Sequence, residues 1–224
     1  MLQAIIFDFD GLILDTETPV LQSWQELYRE FGMELPVEEW LKCIGADYGP
    51  ETFDPYADLE QRRGQPVDWP RVKPRRYARE LEIVAGQPLL PGVQALIDDA
   101  IRHGVRLAIA SSSPHEWVDG HLARLGLLTR FDAILCADDV AQVKPAPDLF
   151  LRALEALHVP ARQAVVLEDS PHGIEAARTA GIMGVAVPSD LTRRLDFSGA
   201  AMRVQSLAEL DVALLARALR SNHR

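Results

Sequence analysis

Apolar residues are unevenly spread along this chain, and their spacing changes with position. From about residue 89 onward, short apolar runs alternate with stretches in which apolar residues recur every three or four positions. RLAIA (106–110), FDAILCA (131–137), AVVL (164–167) and MGVAV (183–187) each predict a buried strand, and residues 2–7 have the same character. Residues 89–104, 113–127, 147–159, 170–181 and 206–220 predict helices. Pro91 lies near the start of the first helix and Gly104 just past its end. In the second, Ser113 with Glu116 three residues on makes a capping box, with Pro114 at the first helical position. Ser170 caps the fourth and Gly181 closes it. Short apolar strands alternating with helices predict an α/β fold, a doubly wound parallel sheet covered on both faces.

Residues 16–86 break that rhythm. Residues 20–32 (VLQSWQELYREFG) have helical spacing, and the remainder is polar, rich in Arg and Pro, and helical at best. The expected organisation is a core of residues 1–15 and 87–224, with a helical insertion, 16–86, after the first strand. The arginines of the insertion (Arg62, Arg63, Arg71, Arg75 and Arg76) read as a solvated face. There is no convincing repeat, low-complexity tract or long charged tail.

Composition narrows the classes of function. The 224 residues are 48% hydrophobic and 25% charged, ordinary globular values that allow a sizeable core. A net charge of −10 disfavours a nucleic-acid or anionic-membrane surface, though a metal and one lysine would reverse the sign locally. Cys43 and Cys136 are too few for a thiolate zinc site and read as buried thiols. No apolar run approaches 18 residues, so a cytoplasmic protein is expected, and nothing demands more than a monomer.

Candidate chemistry sits where strands end. In open parallel sheets, ligands bind outside the carboxyl ends of strands. Asp8 and Asp10 follow the first strand, Ser111 follows RLAIA, Lys144 lies beyond 131–137, and Glu168 with Asp169 follows AVVL. Asp8 and Asp10, two apart, fall on one side of an extended chain. Like charges about 4 Å apart repel by roughly 4 kcal/mol at an effective dielectric near 20, so something must offset them.

FDFDGLILDTE, ASSS, KPAPD and LEDSPHGIEAARTAG resemble the four signatures of the haloacid dehalogenase-like phosphohydrolases, and the likeness covers nearly the whole chain. The similar subgroup includes β-phosphoglucomutase and many small-molecule phosphatases. The resemblance implies a Rossmann-like core and a helical cap made by the insertion. It implies that Asp8 is the nucleophile toward phosphorus and Asp10 the general acid, then base. It further implies Mg²⁺ held by Asp8, Asp169 and the main-chain carbonyl of Asp10, with Glu168 either a ligand or directly behind one. Lys144 would neutralise the phosphoryl group and the nucleophile, while Ser111 and Ser112 would hold phosphoryl oxygens. Thr16, Glu17 and Gly45 are the cap-side residues placed toward the substrate, a small phosphomonoester. Thr16 is equally open to joining Asp15 in starting the cap helix. Ser113 and Ser170 are expected to be helix caps, and His172 to have no catalytic part.

Departures from the pattern bear on the activity. Where β-phosphoglucomutase has a histidine soon after its hinge, this chain has Val20. Its cap loop reads KCIGADYG, with Ile44 before Gly45, Tyr48 where a basic residue is expected and Lys42 displaced by two positions. A phosphatase is therefore favoured over a sugar-phosphate mutase. Dehalogenases lack the second aspartate, whereas Asp10 is present. Neither Lys42 nor Lys73 has the setting of a Schiff-base lysine for phosphonate cleavage. A receiver-like phospho-acceptor needs neither Asp10 nor a lid.

Overall fold

The apolar runs become the strands of one sheet, and the first of them lies at its centre. The computed structural model describes residues 1–43, 49 and 52–222. Its strands are β1 (Ala4–Phe7), β2 (Arg106–Ala110), β3 (Ala133–Leu135), β4 (Ala164–Glu168), β5 (Met183–Ala186) and β6 (Met202–Arg203). All pair in parallel, in the order β3-β2-β1-β4-β5-β6. Ala4 stands opposite Arg106 on one side and Ala164 on the other, and the register runs unbroken to Phe7. The sheet grows outward in both directions from the β1–β4 pair. In such sheets that point of reversal, at the carboxyl ends of β1 and β4, is the usual seat of a ligand.

The helices are α1 (Glu17–Glu30), α2 (Val37–Trp40), α3 (Pro55–Arg63), α4 (Trp69–Ala85), α5 (Val93–Arg102), α6 (His115–Arg124), α7 (Asp148–Leu157), α8 (Pro171–Thr179) and α9 (Val212–Asn222). The chain divides into two compact units, Met1–Leu14 with Pro88–Arg224, and Asp15–Gln87. In the first, small strand residues (Ala4, Ala108, Ala110, Ala164) leave room for Leu149, Phe150 and Ala153 of α7 and Ala176 and Ala177 of α8. The intervening strand residues Ile5, Phe7, Leu107, Ile109, Val165 and Leu167 point to the opposite face and are all buried. Both cysteines are buried and unbridged, and burial pushes each thiol up to about 12. Among the described residues, no helix is long and apolar enough to cross a membrane.

The second unit is helical. Trp24, Tyr28, Trp40 and Leu59 fill its interior, with Tyr56 set edge-on to Trp24 at 4.7 Å. One arginine departs from the expected solvated face. The Arg76 side chain is only 10% exposed; it donates to Ser23 Oγ (2.8 Å), pairs with Glu80 (2.5 Å) and lies over the Trp24 ring. A residue every three to four positions from the apolar stripe of α4 faces inward whatever its charge, and Glu80 one turn on makes that burial tolerable.

The C-terminal segment also differs from expectation. The helix predicted from residue 206 begins at Val212, because the Ser206–Glu209 capping box closes only a single 3-10 turn, Leu207–Glu209. That turn lies against Gly92, which has φ +90°; a Cβ there would sit 2.1 Å from the Ala208 nitrogen. Asp99 of α5 then accepts the Val212 N–H at 2.9 Å, so α9 is started from another helix. β6, two residues long, is too short to show in any periodicity. Gly92→Ala should cost about 1–2 kcal/mol for the left-handed backbone alone, and more for the collision with the turn. A urea-unfolding midpoint shifted well beyond that of Gly104→Ala, which meets open space at a similar φ, is the expected result.

Candidate active site

Three separate strand ends contribute to one cluster of four side chains. Asp8 follows β1, and its N–H continues the ladder to the Leu167 oxygen at 3.0 Å, which holds it beside the end of β4. Glu168 ends β4 and Asp169 follows it. Lys144, from the loop between β3 and α7, reaches in and donates to Asp8 Oδ1 and Glu168 Oε1, both at 2.5 Å. All four side chains are buried, with Lys144 7% and Glu168 1% exposed, so no bulk water screens these charges. Burial above all, then the Glu168 charge, raises the Asp8 carboxyl well above the ordinary value, although Lys144 opposes both. For Lys144, burial works against the charge, but Asp8 and Glu168 outweigh it and hold the ammonium above its usual range.

Glu168 has both oxygens engaged. Oε1 takes Lys144, while Oε2 accepts from the N–H (3.1 Å) and hydroxyl (3.0 Å) of Ser170. Ser170 is also the helix cap expected of it, accepting from the Gly173 N–H at 3.1 Å. Gly173 lies inside the LEDSPHGIEAARTAG signature but was given no part there, and a Cβ at this position would lie 1.9 Å from the Glu168 carboxyl carbon. The carboxylate occupies the space that any other residue of α8 at this position would fill.

Asp10 has different partners. Ser113 Oγ donates to its Oδ2 at 2.7 Å, Ser111 Oγ to the same oxygen at 3.2 Å, and the Trp117 indole N–H to Oδ1 at 2.8 Å. The expected repulsion between the two aspartates is thus met residue by residue, Asp8 by an ammonium and Asp10 by three neutral donors. Ser113 does not cap α6, contrary to its spacing from Glu116; its hydroxyl is turned to Asp10, and Pro114 is the N-cap residue. Asp138 accepts the His115 N–H at 2.7 Å in its place. The His115 ring then bridges Asp119 (3.1 Å) and Asp139 (2.8 Å). Ser111 is fully buried at the end of β2, while Ser112 beside it is exposed.

The remaining candidates lie elsewhere. Thr16 and Glu17 belong to the helical unit, where Thr16 precedes α1 without capping it and Asp15 accepts the Thr18 N–H at 3.0 Å. Gly45, with Ile44 and Tyr48 of the same loop, is outside the described residues. Trp117, which periodicity alone would place among ordinary helix residues, is the polar contact that sequence reasoning missed.

Residues 5–187 match the model of a family described as haloacid dehalogenase-like hydrolase. The chain belongs to that family. YhcW of Bacillus subtilis, named as a candidate phosphatase, is 40% identical over 223 residues, 100% of both chains. The fructose-1-phosphate phosphatase YqaB of Escherichia coli is 34% identical over 82% of this chain and 95% of its own. The crystal structure of CbbY from Rhodobacter sphaeroides in complex with phosphate superposes with a TM-score of 0.78 at 32% identity, covering 96% of this chain and 100% of that one. This haloacid dehalogenase-like hydrolase is an enzyme of the phosphatase and β-phosphoglucomutase-like branch.

The donor set of the hydrolase suits a hard divalent cation. Asp8, Glu168 and Asp169 each offer a carboxylate oxygen, all within 4.8 Å of one another and all buried. Three carboxylates against one ammonium leave an excess of negative charge, and an oxygen-only set favours Mg²⁺-like ions over soft metals.

Three outcomes are expected. Gly173→Ala should displace the Glu168 carboxylate, lower the melting temperature and reduce phosphatase turnover at least about tenfold. Gly120→Ala, whose Cβ meets open space within α6, should be neutral or stabilising by about 0.5–1 kcal/mol and stay within about threefold in turnover. Burial disfavours the charged form of His115, but Asp139 and Asp119 outweigh it and raise its pKa above the ordinary 6.5. A raised value stabilises the fold fully below the unfolded pKa and loses that contribution as pH rises through the folded one. The melting-temperature gap between wild type and His115→Gln should therefore be widest below the ordinary 6.5 and narrow as pH rises above it.

Proposed function

We propose that this enzyme is a Mg²⁺-dependent phosphomonoester hydrolase that works through an aspartyl-phosphate on Asp8. The observation that carries the reading is the buried Lys144 ammonium bridging Asp8 and Glu168, with Asp169 in reach. A carboxylate is a plausible nucleophile toward a phosphate dianion only where positive charge is already in place, and Lys144 supplies part of it. Asp8, Asp169 and the main-chain carbonyl of Asp10 would hold the metal, with Glu168 orienting Lys144 and bordering the ion. When bound, Mg²⁺ adds the charge that lets phosphate and carboxylate approach.

The chain's own groups account for the proton and bond changes. Asp8 attacks phosphorus, the bond from phosphorus to the ester oxygen breaks, and Asp10 gives that oxygen its proton. Asp10 then takes a proton from a water that attacks the aspartyl-phosphate, releasing phosphate and restoring both carboxyls. Ser111, with Ser112 and nearby backbone N–H groups, holds phosphoryl oxygens. The substrate is a small phosphorylated compound, in keeping with a fructose-1-phosphate phosphatase among the relatives and a phosphate-bound structural neighbour. Substrate choice is assigned to the helical unit as the cap, with Thr16, Glu17 and Gly45 its candidate contacts.

Phosphate release should be followed from a panel of sugar, glycerol and nucleoside monophosphates, with Mg²⁺ and with EDTA. Release that depends on the metal and falls about a thousandfold or more in Asp8→Asn is expected. Full release from Asp8→Asn would overturn the nucleophile. Conversion of a sugar 1-phosphate to its 6-phosphate without release would instead identify a mutase. A long-lived phosphoprotein without turnover would identify a phospho-acceptor.

A further inference from the structure

The Trp117 indole stands beside the proposed acid, and the proposed chemistry leaves it without a part. Its indole N–H lies 2.8 Å from Asp10 Oδ1. An indole nitrogen can only donate, so Oδ1 is an acceptor whether or not Asp10 carries a proton. Oδ2 is different, because it faces the hydroxyls of Ser113 (2.7 Å) and Ser111 (3.2 Å). A hydroxyl can donate or accept, so Oδ2 keeps a partner in both protonation states. Ser111 also stands at the end of β2, on the side where phosphoryl oxygens are expected.

The indole is itself firmly placed. Its ring meets His121 edge-on, with centroids 4.5 Å apart and planes at 77°. His121 in turn stacks on Phe9 at 6.3 Å and 25°. Phe9 is fully buried and separates Asp8 from Asp10 in the chain. The helix carrying Trp117 is anchored at its first turn by Asp138 and through the bridging His115 ring. The donor is thereby fixed to the same backbone segment that bears the carboxyl it meets.

We propose that Trp117 is a positioning residue for the general acid, pinning Oδ1 so that Asp10 exchanges its proton through Oδ2 alone. This rests on the reading of Asp10 as the acid. Loss of the indole N–H lets the carboxyl rotate, which misdirects the proton and slows only steps that need it.

The leaving group makes that visible. An alkyl phosphate departs as a strongly basic alkoxide and depends on the acid, whereas p-nitrophenyl phosphate departs as a stable phenolate and hardly does. The quantity kcat/KM covers steps up to leaving-group departure and omits hydrolysis of the aspartyl-phosphate. Trp117→Phe, which keeps a ring against His121, should lower kcat/KM about tenfold more for the alkyl than for the aryl ester. Asp10→Asn should show the same selectivity more strongly. Equal losses on both esters in Trp117→Phe, or none, with selectivity intact in Asp10→Asn, would overturn the proposal. Absence of selectivity in Asp10→Asn would overturn it too, and would place the fault in the acid assignment. Independently of turnover, the Trp117 indole proton resonance should move upfield in Asp10→Ala, and an unmoved resonance would refute the contact.

Discussion

One buried ammonium organises the acidic cluster at the carboxyl ends of the central strands. Lys144 is shared between Asp8 and Glu168 in a place where none of the three is solvated. Removing any one partner would strand a charge in a low-dielectric setting, a change that costs about 3–5 kcal/mol in comparable cases. The surrounding structure is arranged to keep that triad intact. Ser170 occupies the second oxygen of Glu168, Gly173 yields its side-chain volume to the carboxylate, and the β1–β4 ladder fixes the distance between the two acids.

The two aspartates of the FDFD segment stand in different surroundings. Asp8 is matched by charge and Asp10 by neutral hydrogen bonds, so a single Phe separates two electrostatic regimes. On the proposed mechanism, the nucleophile gains from a fixed cation beside it, because that cation also attracts the phosphate to be attacked. A group that gives and takes a proton is better served by partners able to adapt to either state.

Much of this was visible in the order of residues. Strands 106–110 and 164–167 were legible because buried parallel strands are unbroken apolar runs, and polar residues at their ends stand out against them. Asp8, Asp10, Ser111, Lys144, Glu168 and Asp169 were all found by that contrast. Misreadings came where one local pattern serves two purposes. Ser113 and Glu116 have the spacing of a capping box, but a carboxylate from another strand end competes for the hydroxyl and wins. Ser206 and Glu209 make a true box, yet it closes one turn because Gly92 and Asp99 dictate where the chain goes next. Trp117 carried no local signal, and Gly173 lay within the LEDSPHGIEAARTAG signature without its close approach to Glu168 being apparent. Their importance lies in what stands opposite them in space, which spacing along the chain does not encode.

The central position of β1 has a consequence for how the protein is made. Ala4 pairs with Arg106 and Ala164, so the first strand synthesised waits for partners a hundred and more residues away. At roughly 5–20 residues per second on the ribosome, β4 follows after an interval on the order of ten seconds or more. Until then β1 lacks one of its two neighbours, with β2 the partner that is made first. A nascent chain stalled before β4 would hold Asp8 without the two carboxylates, Glu168 and Asp169, that stand beside it in the folded chain.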